Sequence, residues 1–147
     1  MNRRLTREEA VKVLYIMDVN SNYSMEVLDK YLEHFTAEEL EDTEFERVEF
    51  IADDIDNEYI RKTVEDAINN LSNIDKQIVD NSKGWKINRI AKVDLAILRV
   101  ALAEIIYNPS IPESVSIKEA VELGKRYSNE DSFKFINGIL GSVYRGM

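Results

Sequence analysis

The stretch from Ile90 to Ile105 constrains the fold more than any other part of the chain. Ile90, Val93, Ile97, Leu98, Ala101 and Ile105 recur at helical spacing, and the helix they imply is apolar over more than one face. Such a helix cannot lie on a surface; other helices must enclose it. Asn108-Pro109-Ser110-Ile111-Pro112 ends it. Two prolines and five glycines in 147 residues leave few turns, which favours long helices over many short strands. The length suits one domain with a sizeable core.

The enclosing helices can be read on either side. Thr6-Arg7-Glu8-Glu9 has the form of a capping box, followed by Ala10, Val13, Leu14 and Met17 on one stripe. Asn20-Ser21-Asn22 ends that helix, and Ser24 begins a second with Leu28, Leu32 and Phe35 inward. A partly helical stretch is expected from Phe45 to Ile55, anchored by Val48 and Ile51. Ile60, Val64, Ala67, Ile68 and Leu71 predict a helix over 59–71, and a shorter one follows from Ile74 to Ser82 before Gly84-Trp85. Ser116-Ile117-Lys118-Glu119 is a second capping-box pattern, continued by Ala120, Leu123 and Tyr127. The last helix carries Phe133, Ile136, Leu140, Val143 and Tyr144. Asn137-Gly138 inside it is a hairpin signal, but the helical spacing around it is stronger. An interior glycine costs about 1 kcal/mol, so Gly138 is expected where another backbone approaches closely. The fold class is all-α, a compact helical bundle of about seven helices.

Charge is unevenly spread. Residues 36–66 hold thirteen acids and three bases, a net of 3 − 13 = −10, which leaves +1 for the rest of a chain at −9. That block reads as a solvated face with a linker, or as a shield that biases which face approaches RNA. Residues 1–12 and 83–99 are locally basic. The N-terminal arginines are a solubilising tail or a phosphate-binding arm.

The sequence lacks the groups that catalysis would need. There is no cysteine, and the single histidine, His34, beside Phe35, reads as structural. No HxxxH pair, glycine-rich phosphate loop or nucleophile elbow occurs. Asp53-Asp54 sits in a charge run where solvation explains it. Trp85 reads as a core or interface residue, with base stacking as the alternative. No enzyme, cofactor or metal site is expected. No apolar run approaches the ~18 residues of a membrane span, and no h-region follows the first arginines, so a cytoplasmic protein is expected.

Four segments together resemble the transcription antitermination factor NusB family. They are Arg7-Glu8-Glu9-Ala10-Val11-Lys12-Val13-Leu14-Tyr15; Asp94-Leu95-Ala96-Ile97-Leu98-Arg99-Val100-Ala101-Leu102-Ala103-Glu104; residues 112–125; and residues 128–140, with Lys134-Phe135-Ile136-Asn137-Gly138. The resemblance implies two packed helical subdomains, about 1–72 and about 73–147, in one RNA-binding domain. It implies binding of single-stranded boxA RNA in ribosomal RNA leaders together with NusE, a small-subunit ribosomal protein. Other Nus factors and RNA polymerase would be indirect partners, and some members form homodimers.

Carried over by position, the resemblance assigns RNA contacts to Arg3, Arg4, Arg7, Tyr15, Asp131, Lys134 and Phe135. It assigns a NusE contact to Asp94. Phe133 and Phe135 are ~200° apart on a helix, so with Phe133 inward Phe135 is expected to face out as a stacking ring. The acidic balance predicts weak RNA binding alone and tighter binding with NusE. Two other readings are an adaptor that binds NusE without useful RNA affinity, and the RNA-recognition module of a ribosomal RNA methyltransferase.

Overall fold

Every residue from Asp94 to Ile105 is buried, so the helix that carries them is enclosed on all faces, as its sequence requires. The computed structural model describes residues 1–33 and 54–147. Among these, seven α-helices occur: α1 (Arg3–Val19), α2 (Met25–Glu33), α3 (Asn57–Asn69), α4 (Leu71–Asp80), α5 (Lys92–Tyr107), α6 (Glu113–Tyr127) and α7 (Glu130–Arg145). A 3-10 turn, Ile87–Arg89, precedes α5. The central helix α5 packs against α1, α3, α4, α6 and α7, while α2 closes over α1 and α3. The expected contributions of His34, Phe35, Val48, Ile51 and Asp53 lie outside the described residues.

The core is almost entirely aliphatic: Val13, Leu14, Leu28, Ile60, Ile74, Ile78, Leu98, Leu102, Ile136 and Leu140 are all fully buried or nearly so. Each such side chain contributes about 1.5–3 kcal/mol over an exposed one. Buried charge crosses this core twice. Arg7 on α1 pairs with Glu104 on α5, with Nε 2.7 Å from Oε2. Arg99 on α5 reaches Asp75 on α4 at 2.8 Å and Asp18 on α1 at 3.6 Å.

Both capping-box expectations are displaced. α1 begins at Arg3, where the Asn2 side chain accepts from the Leu5 amide. Thr6 lies inside the helix, donates to the Asn2 carbonyl at 2.7 Å and accepts from the Asp56 amide at 2.9 Å. α6 begins at Glu113 behind Pro112, and Ser116 is buried, donating to Glu104 at 2.9 Å. Two further helices have side-chain caps, with Asp56 accepting from Tyr59 and Asn129 from Ser132, whereas Asn70 and Ala91 before α4 and α5 make no side-chain cap bond.

The close-approach glycine is Gly124. A Cβ there would lie 3.0 Å from Ile136 Cδ1 and 3.3 Å from Phe133 Cα, so Gly124 lets α6 and α7 touch. A Cβ on Gly138 would meet open space, which corrects the expectation that another backbone packs on it.

Candidate RNA and partner interface

The chain leaves α4 through two consecutive residues in the left-handed region, Lys83 at φ 56° and Gly84 at φ 91°. Only glycine holds the second without strain. Buried Ser82 fixes this turn: its hydroxyl lies 2.9 Å from the Val79 carbonyl and 3.0 Å from the Trp85 carbonyl. The result is that Trp85 points outward and is 52% exposed, so it is not a core residue.

Trp85 meets α7 at Phe135, with ring centroids 6.2 Å apart and an interplanar angle of 64°. One cleft beside this pair is lined by Arg89, Asp94, Asn129, Asp131 and Ser132; an adjoining one is lined by Lys83, Lys134, Gly138, Ser142 and Arg145. Three residues that the resemblance singled out for RNA, Asp131, Lys134 and Phe135, therefore converge here. Asp131 and Lys134 are exposed. Phe135 is half-buried against the core and not fully outward. The buried stripe of α7 is Ile136, Ile139, Leu140 and Val143; Phe135 extends it from Ile139. Phe133 is half-buried, with Lys125 Nζ 5.2 Å from its ring centroid, and Tyr144 is exposed.

Asp94 borders the same cleft, yet only 5% of it is exposed. Its carboxylate accepts from Ser128 Oγ at 2.7 Å, tying the start of α5 to the linker before α7.

The N-terminal arginines do not form a loose arm. Arg3 and Arg4 occupy the first turn of α1. Arg3 bonds Asp56 at 3.1 Å and lies over the Tyr59 ring at 4.6 Å. Arg4 grips Glu119 through two bonds, at 3.0 and 2.9 Å. The hydrogen bond from Arg4 holds the Glu119 carboxyl below the usual carboxylate range, against a burial penalty. For Asp56, burial pushes the other way, but the Tyr59 amide and Arg3 outweigh it and the carboxyl is also lowered. Both arginines keep exposed side chains, at 48% and 65%.

Arg7 is different. It is 4% exposed and committed to Glu104. Tyr59 and Ser116 donate to the same carboxylate. Burial and this carboxylate raise the Tyr59 hydroxyl well above its usual range. Arg7 therefore offers nothing to a phosphate without unpacking the core.

Tyr15 joins neither arginine group nor Phe135. It is 38% exposed and lines an apolar groove with Val11, Ile16, Tyr31, Val93 and Tyr127. Sequence reasoning missed this groove. For Trp85, read as core or interface with base stacking as the alternative, the exposure removes the core reading and leaves the other two. Among the described residues no cluster of His, Cys, Asp or Glu suits a metal ion, and no helix is long and apolar enough to cross a membrane.

A model of the NusB family matches residues 4–145. The transcription antitermination protein NusB of Clostridium novyi (strain NT) is 40% identical over 145 residues, 99% of each chain. That of Alkaliphilus oremlandii (strain OhILAs) is 43% identical over 141 residues, 96% of this chain and 91% of the relative. The fold is similar to a crystal structure of antitermination factors NusB and NusE in complex with dsRNA, with a TM-score of 0.77, 26% identity and 99% and 97% of the two chains covered. It is also similar to T. maritima NusB, with a TM-score of 0.72, 32% identity and 99% and 92% covered. The chain belongs to the NusB family.

Proposed function

We propose that this chain is a non-enzymatic transcription antitermination factor. It binds the single-stranded boxA element of ribosomal RNA leaders together with NusE and helps assemble the antitermination complex on RNA polymerase in the cytoplasm. The observation that carries this reading is that Asp131 and Lys134 line two adjoining exposed clefts that share Phe135. It occurs in a fold similar, over nearly its whole length, to a NusB described with NusE and RNA. That complex holds double-stranded RNA; the single-stranded boxA ligand is part of the proposal.

The parts divide by chemistry. Phe135 supplies an aromatic edge for an unpaired base, and Lys134 a phosphate contact. Arg3 and Arg4 reach phosphate only by exchanging their present carboxylates. Exposed ion pairs of this kind contribute about 0–1 kcal/mol, so the exchange costs little. The groove around Tyr15 is the seat for NusE, or for a second copy of the chain. Val93 lines that groove while Asp94 lines the RNA cleft, so the first turn of α5 joins the two surfaces.

A second reading, an adaptor that holds NusE without useful RNA affinity, is favoured by one observation: Arg3, Arg4 and Arg7 all have carboxylate partners. Titrating labelled boxA RNA and a scrambled control, with and without NusE, at two salt concentrations separates the readings. Selective binding that tightens with NusE and weakens with salt supports the first. Equal or absent binding to both RNAs beside a stable NusE complex supports the second.

A further inference from the structure

Most cations of this acidic chain are neutralised where they stand. Among the described residues, Lys83, Lys86, Arg89, Lys118 and Arg145 are the Lys and Arg side chains with no carboxylate partner. Four of these five line the clefts around Trp85: Lys83, Lys86 and Arg89 share one with it, and Arg145 with Lys83 another. Among the described residues, unpaired positive charge is thus gathered about the most exposed aromatic ring.

The ring is held, not dangling. The Ser82 turn fixes its backbone, and the edge contact with Phe135 fixes its side. Phe135 is half-buried whereas Trp85 is half-exposed, so Trp85 keeps ring surface open to solvent. The same clefts hold Asp80, which is paired with Lys76, buried Asp94 and exposed Asp131, so unpaired cations outnumber open carboxylates beside the ring. A held aromatic face with such a surplus suits a base with its flanking phosphates, and the match is indifferent to which base it is.

We infer that Trp85, with Lys83, Lys86, Arg89 and Arg145, is a stacking platform for single-stranded RNA of no fixed sequence, adjoining the Phe135 site. It rests on the RNA-binding reading and extends it: nucleotides flanking the specific element are held here for affinity, not selectivity. An acidic protein segment is the competing occupant. It matches the charge but makes no use of a fixed ring.

The chain has a single tryptophan beside seven tyrosines, so emission excited selectively at the tryptophan reports Trp85 alone. The test titrates the full chain with a short oligouridylate, with inorganic polyphosphate and with poly-glutamate. It also measures boxA and scrambled RNA on the complex with NusE. Oligouridylate should quench the emission, and polyphosphate should bind with little quenching. Trp85→Ala should weaken boxA and scrambled RNA by the same factor, about five- to a hundredfold, and Trp85→Phe should restore most of it. Replacing Lys83, Lys86 and Arg89 with Gln should reduce the slope of log affinity against log salt by about 2, at ~0.7 per phosphate contact.

Trp85→Ala with unchanged RNA affinity and preserved boxA selectivity overturns the platform and leaves the antitermination reading standing. Quenching and a Trp85-dependent affinity that make no distinction between boxA and scrambled RNA support the platform and sink boxA selectivity. Equal quenching by polyphosphate overturns the stacking claim. Quenching by poly-glutamate alone assigns the surface to protein instead, and no binding of any RNA with or without NusE overturns both readings.

Discussion

Replacing Glu104 with glutamine should destabilise this protein more than any isosteric change on its surface. Each Glu104 oxygen takes two donors: Oε2 accepts from Arg7 Nε and Tyr59, and Oε1 from Arg7 Nη2 and Ser116. Glutamine keeps one acceptor oxygen and turns its amide group toward two donors. It also leaves the Arg7 guanidinium charged among side chains that are 5% exposed or less. Removing one partner of a buried pair costs about 3–5 kcal/mol, because the other charge stays uncompensated. At about 2–4 °C per kcal/mol for a chain of this size, Tm should fall by roughly 6–20 °C. Thermal unfolding followed by far-UV circular dichroism measures it. Arg7→Met with Glu104→Leu should recover only the part of the loss due to uncompensated charge, since the Tyr59 and Ser116 hydroxyls still lose their acceptor. A Glu104→Gln variant that melts within about 2 °C of the parent would refute the reasoning. This outcome also governs how RNA-binding data are read, because an Arg7 substitution lowers RNA affinity by damaging the fold and says nothing of phosphate contact.

Arg3→Ala with Arg4→Ala should cost about 0–2 kcal/mol of stability together, since both arginines are exposed while Asp56 and Glu119 are mostly buried. It should still weaken boxA binding to the NusE complex and reduce the salt slope by about 1.4, as read by fluorescence titration at several salt concentrations. Glu119→Gln should act oppositely, tightening RNA a few-fold by releasing Arg4; unchanged affinity would show that Arg4 makes no phosphate contact. The lowered Asp56 and Glu119 carboxyls predict stability that is full above their ordinary range and lost as pH falls through their depressed folded values. Urea midpoints should therefore drop on the acid side, less so in Glu119→Gln. Gly138→Ala should stabilise by roughly 0.5–1 kcal/mol, whereas Gly124→Ala should destabilise by about 1 kcal/mol, and equal effects in urea melts would contradict the close contact of α6 with α7.

Helix existence was legible because periodicity is a property of many residues at once. The central helix shows this best: no choice of exposed face suits Leu95 through Ile105, so enclosure follows from the sequence alone. Helix starts were not legible to the same degree, because a cap is a competition among neighbours. Thr6 had the right spacing to Glu9, but Asn2 caps an earlier turn, and Thr6 is used to hold the Asp56 amide instead. Pro112 likewise starts α6 ahead of Ser116, as its fixed backbone angle favours. The two phenylalanines of α7 were misplaced because the stripe was drawn through Ile136 and Leu140 without Ile139, and that one residue turns the buried face toward Phe135.

The arginines carry a more general argument. Arg7 looked like one of a basic N-terminal group, yet it precedes Ala10 by three and Leu14 by seven, which puts it on the buried stripe of α1. A buried arginine requires a buried carboxylate, and Glu104, inside a helix enclosed on every face, requires a buried cation. The two residues each predict the other, 97 positions apart. Local charge density therefore misleads here in both directions. The dense N-terminal group is consumed by Asp56, Glu119 and Glu104, whereas the run from Lys83 to Arg89 forms no ion pair among the described residues, although Asp80, Asp94 and Asp131 line the same clefts. The RNA surface proposed around Trp85 follows from where this acidic chain leaves its cations unpaired, not from where it has the most of them.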